Sequence, residues 1–379
     1  MNYSLTPAQI KVREIVREIT ENEFKDKAEW VDKEHVYPKE NMELLKDLGF
    51  WGISIPKEWG GSGGDYLSYI ITLEEIARYC ATTCVALSAH VSLACHPILK
   101  FGTPAQKEKF LKPMAQGKLF GAFGLTEPEA GTDAAAQKTT AVLDGDEWLI
   151  NGTKVFITNA QEADIYIIFA MTDTSKGLKG ISAFILPADT KGFSVGKIED
   201  KMGICGSQTG ELIFENVRIP KDYILGKEGM GFKIAMQTLD GGRIGIASQA
   251  LGIAQGALDE AVKYVKEREQ FGRPIGNFQG LQWYIAEMAT RTETSRLLIY
   301  RAAKMKQDNL PHSKESAMAK WYASEAATYV AHKAIQLHGG YGFTKDYHVE
   351  RMYRDARITE IYEGTTEVQK MVVSAHVLK

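Results

Sequence analysis

The stretch Thr139-Thr140-Ala141-Val142-Leu143-Asp144-Gly145-Asp146-Glu147-Trp148-Leu149-Ile150-Asn151 decides the fold class. Two short apolar, partly β-branched runs flank a turn-forming Asp-Gly-Asp-Glu, which is a hairpin signal. The same texture continues outward from Lys138 to Val217. Strands are expected at Lys154–Thr158, Ile165–Met171, Ile181–Leu186, Phe193–Ile198 and Glu211–Val217. No helical pattern separates them, so an antiparallel barrel or sandwich is expected and not a parallel βαβ sheet.

Both flanks read as helix. Thr6-Pro7-Ala8-Gln9 and Thr103-Pro104-Ala105-Gln106 each combine a cap residue, Pro at the first helical position and Gln at the third. Between them, Trp59–Gly64 is a glycine-rich loop, and Leu73–Leu93 reads as one long apolar core helix. Beyond about Gly229, amphipathic runs cover Phe232–Arg268, Leu281–Gln307 and Ser313–Leu337, with Pro311 separating the last two. The expected class is α+β. Residues 1–120 form an N-terminal helical domain, 121–228 a middle β domain and 229–379 a C-terminal four-helix bundle.

The chain has 379 residues, 44% hydrophobic and 25% charged, with a formal net charge of -3. That is the profile of a soluble protein with a large core. Basic residues are dispersed, so nucleic acid is not an expected partner. Cys80, Cys84, Cys95 and Cys205 match no metal or redox spacing and are read as free thiols in a reducing compartment. No secretory signal is read, and no apolar run is expected to reach membrane-spanning length; the best candidate, Cys84–Leu99, is broken by two histidines and a proline. The expected location is the cytoplasm, or the mitochondrial matrix for a eukaryotic chain that has lost a transit peptide. Gly226-x-x-Gly229-x-Gly231 has the wrong spacing and context for a dinucleotide-binding turn. Walker, His-Glu-x-x-His and Gly-x-Ser-x-Gly patterns are absent from the sequence, and no metal site is expected.

One segment near the C-terminus carries candidate chemistry: Ile361-Tyr362-Glu363-Gly364-Thr365-Thr366-Glu367. Tyr362 and Ile361 can dry the Glu363 carboxylate and raise its pKa, which suits it to proton abstraction. Alone, the heptapeptide could also be an ordinary loop. Five more segments accompany it: Phe123-Gly124-Leu125-Thr126-Glu127-Pro128-Glu129-Ala130-Gly131-Thr132-Asp133; Phe156-Ile157-Thr158-Asn159; Leu239-Asp240-Gly241-Gly242-Arg243; Arg268-Glu269-Gln270-Phe271-Gly272 with Phe278-Gln279; and Gln336-Leu337-His338-Gly339-Gly340-Tyr341-Gly342. Each could be a plain loop, core strand or helix end. Together and in this order they resemble the signature segments of the acyl-CoA dehydrogenase family, in overall appearance closest to the short-chain, butyryl-CoA type.

The resemblance implies an FAD enzyme that removes hydrogens from the α and β carbons of an acyl-CoA thioester. It implies that Glu363 is the catalytic base. Phe123, Leu125, Thr126, Gly131 and Thr132 would lie along the flavin, with Thr132 also facing substrate. Phe156, Ile157 and Thr158 would flank the ring; many relatives have Trp at the first of these, and Phe156 keeps the apolar wall without the indole N–H. Asp240, Gly241, Gly242, Arg243 and Gly364 would contact acyl-CoA. A minority branch holds its base at the position of Gly242, which this chain leaves empty. Thr365 and Glu367 would lie toward the FAD. Arg268, Phe271, Gln279, Gln336, Gly339 and Gly340 would bind the FAD of a neighbouring subunit, which implies a homo-oligomer, most simply a tetramer. Electron-transfer flavoprotein is the implied redox partner. The same site run in reverse would make an enoyl-CoA reductase; an acyl-CoA oxidase and a nucleic-acid-binding flavoprotein are further readings. The helix Thr82–His90 has no Arg for a distal carboxylate, so a dicarboxylyl substrate is not expected.

Overall fold

The computed structural model describes residues 4–379. Eight α-helices come first: α1 (Pro7–Ile19), α2 (Lys25–Lys33), α3 (Lys39–Asp47), α4 (Tyr66–Ala77), α5 (Ala81–Ser88), α6 (His96–Phe101), α7 (Pro104–Gln106) and α8 (Lys112–Ala115). Eight strands follow: β1 (Gly121–Gly124), β2 (Thr140–Asp144), β3 (Glu147–Ile157), β4 (Ile165–Met171), β5 (Ile181–Pro187), β6 (Phe193–Ile198), β7 (Gly210–Pro220) and β8 (Ile224–Leu225). The chain ends with α9 (Gly231–Glu267), a small hairpin of β9 (Glu269–Gln270) and β10 (Arg273–Pro274), α10 (Gln279–Gln307), α11 (Ser313–His338), α12 (Val349–Ile358) and α13 (Thr366–Val377).

Both expected helix starts are capping boxes. Thr6 and Thr103 each accept from the backbone N–H three residues on, and Gln9 and Gln106 return the bond. The apolar run Leu73–Leu93 is not one helix. The chain leaves helical geometry at Cys80 (φ -133°, ψ 87°) between α4 and α5. The break follows Arg78, whose guanidinium is held by Glu75 at 3.0 Å and Asp259 at 2.6 Å. The reading that no apolar run reaches membrane-spanning length also needs correction. Ala81–Phe101 is helical for 21 residues with mean hydropathy 1.3, long and apolar enough to span a bilayer. Within that window 78% is buried inside the protein, so it serves as a core helix.

The sheet runs β6-β7-β3-β2-β4-β5-β8, with β1 added beside β4. Most pairings are antiparallel, as the hairpin signal predicts. Two are parallel: β1 with β4 along four residue pairs, and β2 with β4 at Thr140–Met171. β1 and β8 escape the sequence reading because each is too short to show an alternating pattern. In β1, a Cβ on Gly121 would lie 2.4 Å from the Ala94 Cβ, so glycine lets this strand press onto the core helix.

The C-terminal part has three long helices, with α12 and α13 packed on α11. At 37 residues, α9 is about 55 Å long. It crosses behind α4, α5, α10 and α11, and its middle, Gly241–Ala254, is buried without a gap. A continuously buried helix of this kind fixes the positions of its neighbours. It also brings its Leu239–Arg243 turn beneath the segment that follows α12.

Candidate active site

The Glu363 turn has a specific local cause. α12 ends at Ile358, and Thr365 caps α13 by accepting from the Val368 N–H at 3.4 Å. The six residues between must reverse the chain. Glu363 (φ 52°) and Gly364 (φ 98°) both take positive φ to do so. Glycine adopts this freely; for glutamate it costs on the order of 1 kcal/mol or more and persists only when neighbours enforce it. The neighbours are visible. Lys320 Nζ and Gln369 Nε2 each donate to the Gly364 carbonyl at 2.8 Å, and the Thr366 N–H donates to Glu360 O at 2.9 Å.

The turn drives the Glu363 side chain inward against α9. Glu363 Oε2 is buried and has no hydrogen-bond partner. A Cβ placed on Gly242 would lie 2.1 Å from that oxygen and 2.8 Å from Leu93 Cδ2. Gly241 beside it leaves room for Lys306, whose Nζ would come within 2.2 Å of a Cβ there. Tyr66 donates to the Gly241 carbonyl at 3.1 Å and carries the Lys306 ammonium 4.0 Å above its ring. Tyr362 donates to Gln249. Arg243 is buried and pairs with Asp240 at 2.7 Å, which also accepts from Ser313 at 3.0 Å.

Burial pushes the Glu363 carboxyl up to about 7, against the opposing pull of Lys320, Arg243 and Lys306. Burial likewise lowers Lys306 and Lys320 to about 7, partly offset by Glu363. The result is one carboxylate facing three cations across a dry space, the kind of pKa tuning that proton transfer at neutral pH requires. Next to Asp240 a cavity of about 580 Å³ opens, lined also by Gln237, His312, Ser313, Lys100 and Lys314.

The Phe123–Asp133 segment is bonded to the two residues of β3 that lead into Phe156–Asn159. Val155 N–H donates to Thr126 O at 2.9 Å. Fully buried Lys154 reaches Glu127 at 2.7 Å, Gln137 at 3.0 Å and Leu125 O at 3.2 Å. Glu127 also accepts from the backbone N–H groups of Lys138 and Thr139. The 125–139 loop is therefore nailed to β3. A bulge in β3 between Lys154 and Ile157 turns Phe156 outward at φ 58°, where it is 65% exposed. Thr132 and Gly131 are exposed, Thr126, Phe123 and Thr158 half-buried, and Leu125 and Ile157 buried.

The remaining segments form a second, separate group. Phe271 and Gly272 make the positive-φ tip of the β9–β10 hairpin, and Phe271 is 93% exposed. Arg268 lies 5.7 Å over the Tyr341 ring, which joins this hairpin to the Gly339–Phe343 turn after α11. Gln279, Gln336, Gly339 and Gly340 are exposed beside them. His338 is buried and stacked on Tyr264 at 4.2 Å, a structural place. From Lys320, beside Glu363, to Gly339 is 19 residues of α11, about 28 Å. The two groups lie at opposite ends of one helix.

Three family descriptions cover nearly the whole chain: the acyl-CoA dehydrogenase N-terminal domain over residues 6–118, the middle domain over 122–217 and the C-terminal domain over 229–378. The chain belongs to the acyl-CoA dehydrogenase family. It is an enzyme of the class acting on acyl-CoA. It is 55% identical to the short-chain specific acyl-CoA dehydrogenase of Clostridium acetobutylicum, with 100% of both chains covered. It is 50% identical to the caffeyl-CoA reductase-Etf complex subunit CarC of Acetobacterium woodii, with 97% of both covered. The solved butyryl-CoA dehydrogenase of Megasphaera elsdenii superposes with a TM-score of 0.99 at 50% identity, with 100% of both chains covered.

Members of this family are FAD-dependent flavoproteins. The residues here fit such a group. Among the described residues, ten buried side-chain polar atoms lack a partner; Asn159 Oδ1, Arg243 Nε, Glu363 Oε2 and Thr366 Oγ1 lie on these segments, Gln369 Oε1 just after the last of them and Trp321 Nε1 next to Lys320. Unpaired buried polar atoms are costly, and those on these segments suit an outside partner. Gly131 and Gly340 also lack positive φ, and apart from the adjoining backbone no atom of this chain lies within 4 Å of a Cβ placed on either. Nothing within the chain demands glycine there, whereas close approach of a bound group would. Sequence reasoning missed Lys320, Lys306, Lys154 and Gln369. Lys320 did leave a signal: it stands in the buried small-residue stripe Ala317, Lys320, Ser324, Ala327 of α11, where a charge is out of place.

Proposed function

We propose that this chain is an FAD-dependent short-chain acyl-CoA dehydrogenase that converts the thioester to the trans-2-enoyl-CoA, with Glu363 as base. One observation carries the assignment: Glu363 Oε2 is buried, unpartnered and raised toward neutrality at the floor of the Asp240–Arg243 turn. Glu363 takes the α proton. Its backbone N–H has no hydrogen-bond partner among the described residues and is free to donate to the thioester oxygen as negative charge builds there. Tyr362, Leu93 and Tyr66 keep water out. Asp240 and Arg243 hold the CoA part, and the adjoining cavity gives it a way in. FAD, when bound, supplies the redox chemistry by accepting the β hydrogen with its electron pair. The residues that would hold it are Phe123, Leu125, Thr126, Gly131 and Thr132, the Phe156–Thr158 wall, and Thr365 and Glu367. Electrons would pass on to electron-transfer flavoprotein.

The test is anaerobic titration of the purified protein with acyl-CoAs from C4 to C16, watching flavin absorbance. Yellow protein with one FAD per chain, bleached faster by butyryl-CoA than by palmitoyl-CoA, is expected. Folded protein that takes up no FAD would overturn the reading; a preference for C12–C16 would overturn the chain length. The similarity to a reductase subunit favours one second reading, the same site run in reverse. Faster turnover of crotonyl-CoA with reduced electron-transfer flavoprotein than of butyryl-CoA with the oxidised form would select it.

The distant group of Arg268, Phe271, Gln279, Gln336, Gly339 and Gly340 would complete the cofactor site of a neighbouring subunit. A 93%-exposed aromatic on a tight hairpin is costly in water and reasonable against a partner. Light scattering of the FAD-loaded protein is expected to give a tetramer. A monodisperse monomer that keeps its FAD would contradict this.

A further inference from the structure

We propose that Lys320 is the positioning residue of the catalytic turn: it holds Glu363 in place through the Gly364 carbonyl and sets a cation beside the carboxylate. The proposal rests on Glu363 being the base. Lys320 has no exposed surface, and a lysine is rarely buried unless paired. Yet its bond goes to a main-chain carbonyl at 2.8 Å, and Glu363 Oε2 keeps no partner. A direct ion pair would tie the carboxylate down and weaken it as a base. Anchoring the next residue leaves the carboxylate free while the charge stays close.

The surroundings of the pair are defined on every side. Facing Glu363 are Lys320 from α11, Arg243 from α9 and Lys306 from α10. Tyr66 and Tyr69 from α4, and Tyr362 beside it, also feel its charge. Facing Lys320 are Glu363, Arg243, Glu360 and Glu367. Of the three cations around Glu363, Arg243 is paired with Asp240 and Lys306 with the Tyr66 ring. Lys320 is the one whose hydrogen bond is to the catalytic turn itself. Gln369 Nε2 also donates to Gly364 O at 2.8 Å, so the turn retains one anchor when Lys320 is changed.

The experiment measures the rate of flavin reduction by butyryl-CoA against pH in the FAD-loaded enzyme, for wild type, Lys320→Met, Lys320→Arg and Glu363→Gln. In Lys320→Met the acidic limb should move up by about one pH unit, because losing an adjacent cation makes the carboxylate easier to protonate. The maximal rate should fall about tenfold as the turn loosens, while KM changes little. Lys320→Arg keeps the donor and a permanent charge, so its limb should lie at or below the wild-type position. An unmoved limb in Lys320→Met overturns the proposal, as does a rise in KM alone. If Lys320→Met does not hold FAD, Lys320→Arg decides, and a limb above wild type overturns the proposal. Glu363→Gln separates the two ideas: near wild-type reduction there removes the base and this proposal with it, whereas an inactive Glu363→Gln beside an unmoved Lys320→Met limb removes only the role of Lys320.

Discussion

Glu363→Gln should bind FAD and acyl-CoA and reduce its flavin at least ~10²-fold more slowly than wild type, the scale for losing a positioned acid–base group. Gln matches Glu in size, so the inward path past Gly242 and Leu93 remains filled. The strained backbone at Glu363 is held by Lys320 and Gln369 through Gly364, and neither bond involves the Glu363 side chain. Only the proton acceptor is lost. The pH dependence gives an independent check. The carboxyl sits near 7 because burial raises it from its usual value near 4.5. The active form is the carboxylate, so wild-type reduction should fall as pH drops through about 7. That limb should vanish in Glu363→Gln. Glu367→Gln is the control. Glu367 is exposed at the start of α13, and its own N–H and Thr365 hold it below the ordinary carboxylate range. It should weaken FAD retention more than it slows chemistry. Stopped-flow absorbance at the flavin band reads all three proteins, and near wild-type reduction by Glu363→Gln would place the base elsewhere.

How much of this site was legible depended on whether its physics was local. The hairpin at Asp144–Glu147 and the two capping boxes are written in four-residue windows, and the structure has them where the sequence puts them. The break at Cys80 was not legible, because the apolar pattern runs on across it and the contacts beside it, such as that of Arg78 with Asp259 on α9, join residues far apart in sequence. The same holds for the parallel pairing of β1 with β4. Glu363 stood out through the resemblance of its segment and the accompanying ones, its flanking Tyr and Gly alone fitting an ordinary loop as well, and the cause of its raised pKa was not legible at all. That cause is the burial that only packing produces, and the cations that temper it, Lys320, Arg243 and Lys306, each come from a different helix. Lys154 shows the same limit. Read along the chain it is a polar residue in a strand; folded, it is the buried hub that fixes the 125–139 loop.

Gly242 is where packing and chemistry meet most closely, and Gly242→Ala is expected to be nearly as damaging as loss of the base. The added Cβ would lie 2.1 Å from Glu363 Oε2, well inside any allowed contact. The obstructing atoms are the ends of two side chains, Glu363 and Leu93, so the helix can survive while the carboxylate swings away. A displacement of about 1 Å at a reacting group can cost ~10²-fold in rate. Gly242→Ala should therefore fold, hold FAD and melt near wild type, yet show flavin reduction slowed by about that factor. Unchanged reduction would mean that Glu363 does not act from its observed position. The same geometry predicts a rescue. In Glu363→Gly the space above α9 is empty, and a glutamate at position 242 would start from the helix and reach the volume that the Glu363 carboxylate now occupies. Gly242→Glu combined with Glu363→Gly should recover part of the activity that Glu363→Gly alone lacks. Arg243 and Lys306 would still face the new carboxylate from α9 and α10. Recovery would show that what the reaction needs is a dry carboxylate at that point in space, whichever segment of the chain delivers it.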